Sequence, residues 1–365
     1  MRRSSVIEVT KTYLPDKEKY KKYVDEIYAN GWITNYGPMV KRLEKRLADY
    51  LGVKNLILVS NGTAALEIAY RTLDLKGYAI TTPFSFVATT SSLVTNGIRP
   101  IFADIDAGTL NMDPGRIEEL ITHHTEAIVP VHVFGNGCEV EAIDTIAKAH
   151  GLKVIYDASH AFGVQYKGES ILNFGDISTL SFHATKLFHT IEGGALIIND
   201  DRLVQKARYL INFGFESYES IPELGTNAKM NEFEAAMGLC MLDEIEAAAI
   251  KRKAVYERYQ NALGGVVQLQ VHNPDSTRNH SHFPVILKDE AQTLQVQRAL
   301  NAEKIFPRRY FYPSLDTLNY IEPKQFMPIS RNIASRILCL PIHSDLAQRD
   351  QEKIIAIVKQ TIEGR

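Results

Sequence analysis

The sequence predicts an α/β fold, with a mostly parallel sheet covered by helices on both faces, and three observations carry that expectation. From about residue 55 to 200, short β-rich runs alternate with helical stretches, as strand–helix–strand crossovers require. The runs are almost wholly apolar and do not alternate with polar residues, which suits strands buried on both faces. The chain of 365 residues, 45% hydrophobic and 23% charged, is long enough for one large core and a smaller companion.

In order, the expected strands are Leu56–Val59, Ala79–Thr81, Pro100–Ala103, Ala127–Val133, Val154–Tyr156, Thr179–Phe182 and Ala195–Ile198. Asn231 through Gln260, with many alanines and charges, has no proline or mid-helix break until Gly264, which predicts a long helix linking two domains. Beyond it, a β-like run His282–Leu287, a helical Ala291–Ala302 and an amphipathic Gln348–Ile362 predict a small α+β domain, with the first thirty residues expected beside it. The expected division is a large domain over 1–240 and a small one, including the linking helix, over 241–365.

Lysine and arginine number 41 against 43 acidic residues, a net charge of −2 with no long run of like charge, so nothing recruits nucleic acid or a membrane. Cys138, Cys240 and Cys339 are odd in number and far apart, which suits reduced thiols and neither a disulfide framework nor a zinc site. Met1 to Tyr13 carries two arginines without an apolar stretch after them, and no run of eighteen apolar residues occurs, so a cytoplasmic protein is expected. His123 and His124 lack metal-ligand spacing, and no phosphate-loop or dinucleotide fingerprint is present. No metal is expected.

Three segments carry chemistry. Ser60-Asn61-Gly62-Thr63-Ala64 follows an apolar strand and opens a helix, so the backbone of Gly62, Thr63 and Ala64 forms a candidate phosphate cradle; Ser or Asn before a helix is equally an ordinary N-cap. Asp157 ends the run Val154-Ile155-Tyr156, where open α/β sheets bind ligands. It suits pairing with a protonated heterocyclic nitrogen, and a helix cap or a metal ligand are the alternatives. His160 can reach the same place. Lys186, after Ser181-Phe182-His183-Ala184-Thr185 and before Glu192-Gly193-Gly194, can form an imine if desolvation lowers its pKa, although a lone lysine is usually solvated surface. Arg308 and Arg309, beside Tyr310 and Tyr312, suit a diphosphate and a stacked base or sugar, or simply surface packing.

In this order, with Asp157 29 residues before Lys186, the segments resemble the DegT/DnrJ/EryC1/StrS family of sugar aminotransferases, enzymes of pyridoxal-phosphate (PLP) fold type I. Gly31-Trp32-Ile33-Thr34-Asn35-Tyr36-Gly37-Pro38, Thr82–Thr89, Gly225–Met230, Arg308–Pro313 and Leu340–His343 extend the resemblance along the whole chain. It implies an aspartate aminotransferase-like architecture: a large three-layer domain on a mixed sheet plus the small C-terminal domain. PLP, and pyridoxamine phosphate in turn, would be held by Lys186 as a Schiff base, by Asp157 at N1, by Phe86 stacked on the ring, and by Ser181 with Gly62, Thr63 and Ala64 at the phosphate. Asn227 would reach the partner subunit's phosphate in a homodimer. Thr34, Tyr36, His183, Arg308, Tyr310 and Tyr312 would meet the sugar nucleotide. His160 stands where many members carry glutamine, near the cofactor's O3′ or imine.

The implied reaction is transamination from L-glutamate to a nucleotide-linked ketosugar. The stretch Ser181 to Gly194 is similar to members that aminate C4 of dTDP-4-keto-6-deoxy-D-glucose, giving dTDP-4-amino-4,6-dideoxyglucose for a surface polysaccharide such as O-antigen or for a glycosylated metabolite. Members that dehydrate sugars replace the lysine by histidine, so Lys186 favours transamination. A 3-ketosugar aminotransferase, a PLP-dependent dehydratase or lyase, and a noncatalytic aminosugar-sensing regulator are the other classes.

Overall fold

A computed structural model describes residues 6–364. Arg2 and Arg3, part of the N-terminal expectation, lie outside the described residues. The chain begins with β1 (Ile7–Glu8), α1 (Lys17–Asn30) and α2 (Pro38–Leu51). Alternation follows: β2 (Leu56–Val59), α3 (Gly62–Thr72), β3 (Tyr78–Thr81), α4 (Val87–Thr95), β4 (Arg99–Phe102), β5 (Thr125–Val129), α5 (Val140–His150) and β6 (Lys153–Asp157). A hairpin of β7 (Gln165–Tyr166) and β8 (Glu169–Ser170) leads to β9 (Ile177–Ser181), β10 (Gly194–Ile198), α6 (Asp201–Leu210) and the long α7 (Glu232–Leu263). The rest comprises β11 (Gln268–Leu269), β12 (Phe283–Ile286), α8 (Glu290–Ala302), β13 (Ile305–Phe306), α9 (Pro328–Arg336), β14 (Ile337–Leu340) and α10 (Gln348–Glu363).

Seven strands form the main sheet in the order β2-β10-β9-β6-β5-β3-β4. Only β10 runs against its neighbours, β2 and β9, and the other pairings are parallel, so the sheet is mixed. The apolar runs have a simple cause. Side chains of a strand alternate between faces, and here both faces are covered. Ile57, Val59, Leu196 and Ile198 point into the core beneath α3 and α6, whereas Leu56, Leu58, Ala195 and Ile197 join Leu43, Ile143 and Leu239 from α2, α5 and α7.

Helix α7 starts at a capping box, with the Asn231 side chain accepting from the Glu234 amide while the Glu234 carboxylate accepts from the Asn231 amide. Its first half buries Ala235, Ala236 and Leu239 in the main core, and its second half buries Val255, Tyr256, Tyr259 and Leu263 in another core with β12, β14, α8 and α10. The first thirty residues divide between the two. Ile7 and Glu8 pair with Ile305 and Phe306, while α1 packs on α7 and sends Ile27 into the main core. Cys138, Cys240 and Cys339 are free and buried. Among the described residues, no helix is long and apolar enough to cross a membrane.

Candidate active site

The carboxyl ends of β6 and β9 and the first turn of α3 open on a cavity of about 340 Å³, at the edge of the sheet where α/β folds bind ligands. The α3 turn is shaped by packing. A Cβ added at Gly62 would stand 2.7 Å from the Ser181 Cβ, so glycine is what lets the helix start approach the end of β9. Gly62 and Thr63 line the cavity, and amides in a first helical turn lack intrahelical partners, so an anion there meets donors and the positive end of the helix dipole. Ala64 departs from the expectation: its amide donates to Asn61 Oδ1 at 2.8 Å as part of the N-cap, and it does not line the cavity.

Asp157 closes β6 and is 5% exposed. Its Oδ2 accepts from Thr89 Oγ1 at 2.7 Å and its Oδ1 from the Ser159 amide at 3.1 Å. Thr89 Oγ1 lies 2.8 Å from Ser85 Oγ; with its own proton committed to Asp157, Thr89 accepts from Ser85. All these donors are neutral, and among the described residues Asp157 has no salt-bridge partner. Phe86, at the N-cap of α4, is 54% exposed and presents its ring to the same cavity.

Lys186 is only partly exposed, and burial of its amine brings its pKa down to about 8 against the opposing pull of Asp157. About one-tenth is therefore neutral amine at pH ~7, against well under a hundredth for an unperturbed lysine. His183 lies at the mouth, with Nδ1 2.8 Å from Thr185 Oγ1 and Nε2 3.5 Å from Glu192 Oε1. His160, 8% exposed, is held well below the ordinary histidine range by burial and then by the charges of Lys186 and His282. Beneath the site, burial takes His132 down to about 3.

A pH dependence of stability follows. These histidines are neutral in the fold and titrate near pH 6.5 when unfolded, so below about 6.5 the unfolded chain binds more protons. Their contribution is complete above that pH and is lost progressively toward the lower folded values. At 1.36 kcal/mol per pH unit, His132 alone removes about 2 kcal/mol between pH ~6.5 and ~5. Thermal unfolding should show a lower Tm at about pH 5 than at about pH 7, and an unchanged Tm would mean that they are not held neutral.

Of the expected substrate residues, His183, Arg308 and Tyr310 line the cavity. Three others lie elsewhere. Thr34 is exposed, and Tyr36 lines a second cavity of about 190 Å³, its hydroxyl donating to Glu44 Oε2 at 2.7 Å and its ring under the Arg208 guanidinium at 4.6 Å. Tyr312 is turned aside beneath Arg309, 3.6 Å from its ring, and Arg309 itself is bound to Glu290 at 2.7 Å. Asn227 is exposed outside the chain's own cavity, accepting from Lys229 Nζ at 2.8 Å. Sequence reasoning missed Thr10, which the β1 pairing carries to the cavity, the Ser85–Thr89 relay behind Asp157, and His282 with Phe311. The hydroxyls of Ser85 and Thr89 were within reach only as part of the Thr82–Thr89 stretch, whereas nothing local to His282 distinguishes it from the strand it precedes.

Comparison with known proteins agrees with this geometry. Residues 15–359 match the profile of the DegT/DnrJ/EryC1/StrS aminotransferase family. A dTDP-4-amino-4,6-dideoxy-D-glucose transaminase of Shigella dysenteriae is 42% identical over 96% of this chain and 98% of its own length. One of the same name from Escherichia coli is 37% identical over 97% of each. A crystal structure of DesI in the presence of its TDP-sugar product superposes with a TM-score of 0.93 at 32% identity, covering 99% of this chain and 94% of that one.

The residues present fit PLP, the family's cofactor. A buried carboxylate with only neutral donors suits a pyridinium nitrogen, a desolvated amine suits its aldehyde, and the free amides of α3 with Ser181 suit its phosphate. A match spanning nearly the whole chain, joined to a cavity of that chemistry, places the protein in the DegT/DnrJ/EryC1/StrS family as a PLP-dependent aminotransferase.

Proposed function

We propose that the protein transfers the amino group of L-glutamate to C4 of dTDP-4-keto-6-deoxy-D-glucose, giving dTDP-4-amino-4,6-dideoxy-D-glucose. The observation that carries the substrate assignment is the 42% identity, over 96% of this chain and 98% of the other, to a transaminase named for that product. Bound in the cavity, PLP supplies an electron sink that makes the donor's α-hydrogen acidic. The chain supplies the rest. Lys186 would tether the cofactor and, as a free amine, would carry the proton to and from the donor's α-carbon. Asp157 keeps the ring nitrogen protonated, held rigid by Thr89 and Ser159. Phe86 covers one ring face, and the Gly62 and Thr63 amides with Ser181 hold the phosphate. His160 donates to the cofactor's ring oxygen.

Arg308 and Tyr310, at the outer wall, bind the diphosphate and sugar, with His183 at the mouth. Asn227, exposed and remote from its own cavity, serves the phosphate of a second copy, so the working unit is a homodimer. Tyr36 and Thr34 lie outside their own chain's cavity and in this dimer are available to the partner's substrate. Residues 1–240 and 241–365 form the two domains, joined by α7.

The test is the complete reaction. Holoenzyme with L-glutamate and dTDP-4-keto-6-deoxy-D-glucose should give 2-oxoglutarate and a nucleotide sugar whose nitrogen sits on C4 by NMR. Nitrogen on C3, or loss of a sugar hydroxyl without a new C–N bond, would overturn the assignment.

A further inference from the structure

Phe134, in the loop after β5, has φ 59° and ψ 22°, a left-handed conformation uncommon for a bulky side chain. Strained backbone of this kind concentrates at functional sites. The turn links one of its backbone groups directly to His160 and the other, through Ser281, to His282. Its N–H donates to His160 Nδ1 at 3.3 Å. Its carbonyl accepts the Ser281 hydroxyl at 3.0 Å, and Ser281 Oγ lies 3.1 Å from His282 Nδ1.

Proton positions follow from these contacts. A hydroxyl has one proton, and that of Ser281 is committed to Phe134, so Ser281 Oγ accepts from His282 Nδ1–H. His160 Nδ1 is itself an acceptor and carries no proton. In neutral rings the remaining nitrogens are therefore opposite in character: Nε2 of His160 is a donor and Nε2 of His282 is a bare acceptor. The rings are 4.6 Å apart, and Phe311 stacks on His160 at 5.7 Å and on Phe134 at 5.4 Å. Both histidines line the main cavity with Lys186 and also share the narrow recess beside it.

The charges facing His282 keep it an acceptor. Lys186 and Arg252 are cationic neighbours, Arg308 and Tyr310 share the cavity wall, and Asp157 is an anion lining the same cavity. Burial and the first two cations hold His282 well below the ordinary histidine range.

We propose that His282 is a positioning residue for Lys186, its bare Nε2 accepting an N–H of the free amine and so turning the amine's lone pair toward the carbon it deprotonates. An amine on a flexible four-carbon stem has many orientations, and anchoring one N–H reduces them to those useful for proton transfer. His160, with the opposite tautomer, cannot take this place. The role rests on the proton-shuttle function assigned to Lys186.

The test uses holoenzyme and three variants. Nitrogen-15 shifts of the histidine rings should report Nδ1–H for His282 and Nε2–H for His160. His282→Phe keeps a ring and removes the acceptor, and it should slow single-turnover conversion of bound PLP to pyridoxamine phosphate about a hundredfold, with KM for the ketosugar within about twofold. His282→Gln restores an acceptor and should recover about tenfold of that rate. Ser281→Ala frees His282 to change tautomer and should give a smaller loss together with altered nitrogen shifts.

Unchanged turnover in His282→Phe, an effect confined to KM, or a loss that Gln does not recover and that tracks a fall in Tm and cofactor retention would each overturn the proposal. The variants are compared with whichever amine wild type consumes, so failure of glutamate itself counts against the donor assignment alone.

Discussion

Replacing Lys186 by alanine is expected to lower kcat/KM by at least about 10⁴-fold, because one side chain provides both the tether and the proton transfer, and positioned acid–base catalysis alone contributes 10²–10⁴-fold. Stability should move the other way or not at all. Burial depresses the Lys186 pKa to about 8, which means that the fold disfavours the charged amine it encloses. Its removal therefore leaves Tm unchanged or raised, and a calorimetric scan beside the kinetic assay separates lost chemistry from lost folding. Borohydride treatment of wild type followed by peptide mapping should place the cofactor mass on Lys186, and its appearance on another lysine would reassign the tether.

Asp157→Asn is the second large effect, expected at about a thousandfold in kcat, the range seen when a preorganised electrostatic partner is removed from a buried site. Two physical losses combine. The amide has no charge with which to keep the pyridine nitrogen protonated, so the electron sink is weakened. The amide also has one acceptor oxygen where the carboxylate has two, and here Thr89 and the Ser159 amide both donate. One donor is left facing the NH₂ group. Thr89→Val, which breaks the relay but leaves the carboxylate, should give a smaller loss; an equal loss in the two variants would show that orientation rather than charge is what Asp157 contributes.

Much of this site is readable along the chain because its first partners are local. Strand, glycine turn and helix N-terminus are consecutive at Leu56–Thr72, and a carboxylate directly ends the apolar run of β6. Lys186 is likewise close in sequence to Ser181 and His183, with which it shares the cavity wall. The long helix is legible almost to its ends, since its signals, a cap at Asn231 and a glycine at 264, are local too.

What local sequence leaves undecided is the choice among neighbours of similar type. Aromatic and basic residues at 308–312 look alike in sequence, yet Arg308 and Tyr310 face the cavity while Arg309 and Tyr312 pair with each other. Tyr36 is held by Glu44 and Arg208 outside its own chain's cavity, which no local signal in the sequence indicates. Ala64 reads as part of the cradle until the Asn61 cap takes its amide.

Periodicity and turn chemistry act over a few residues, so the order of strands and helices, the carboxylate, the lysine and the phosphate turn were decided by the sequence. Sheet order and the path of the loops act between distant segments. They alone brought β1 and β13 together so that Thr10 reached the cavity, set Thr89 against Asp157, and tied His160 directly, and His282 through Ser281, to Phe134. Such contacts depend on which backbone groups remain unpaired once the core is packed, and packing is a property of the whole fold.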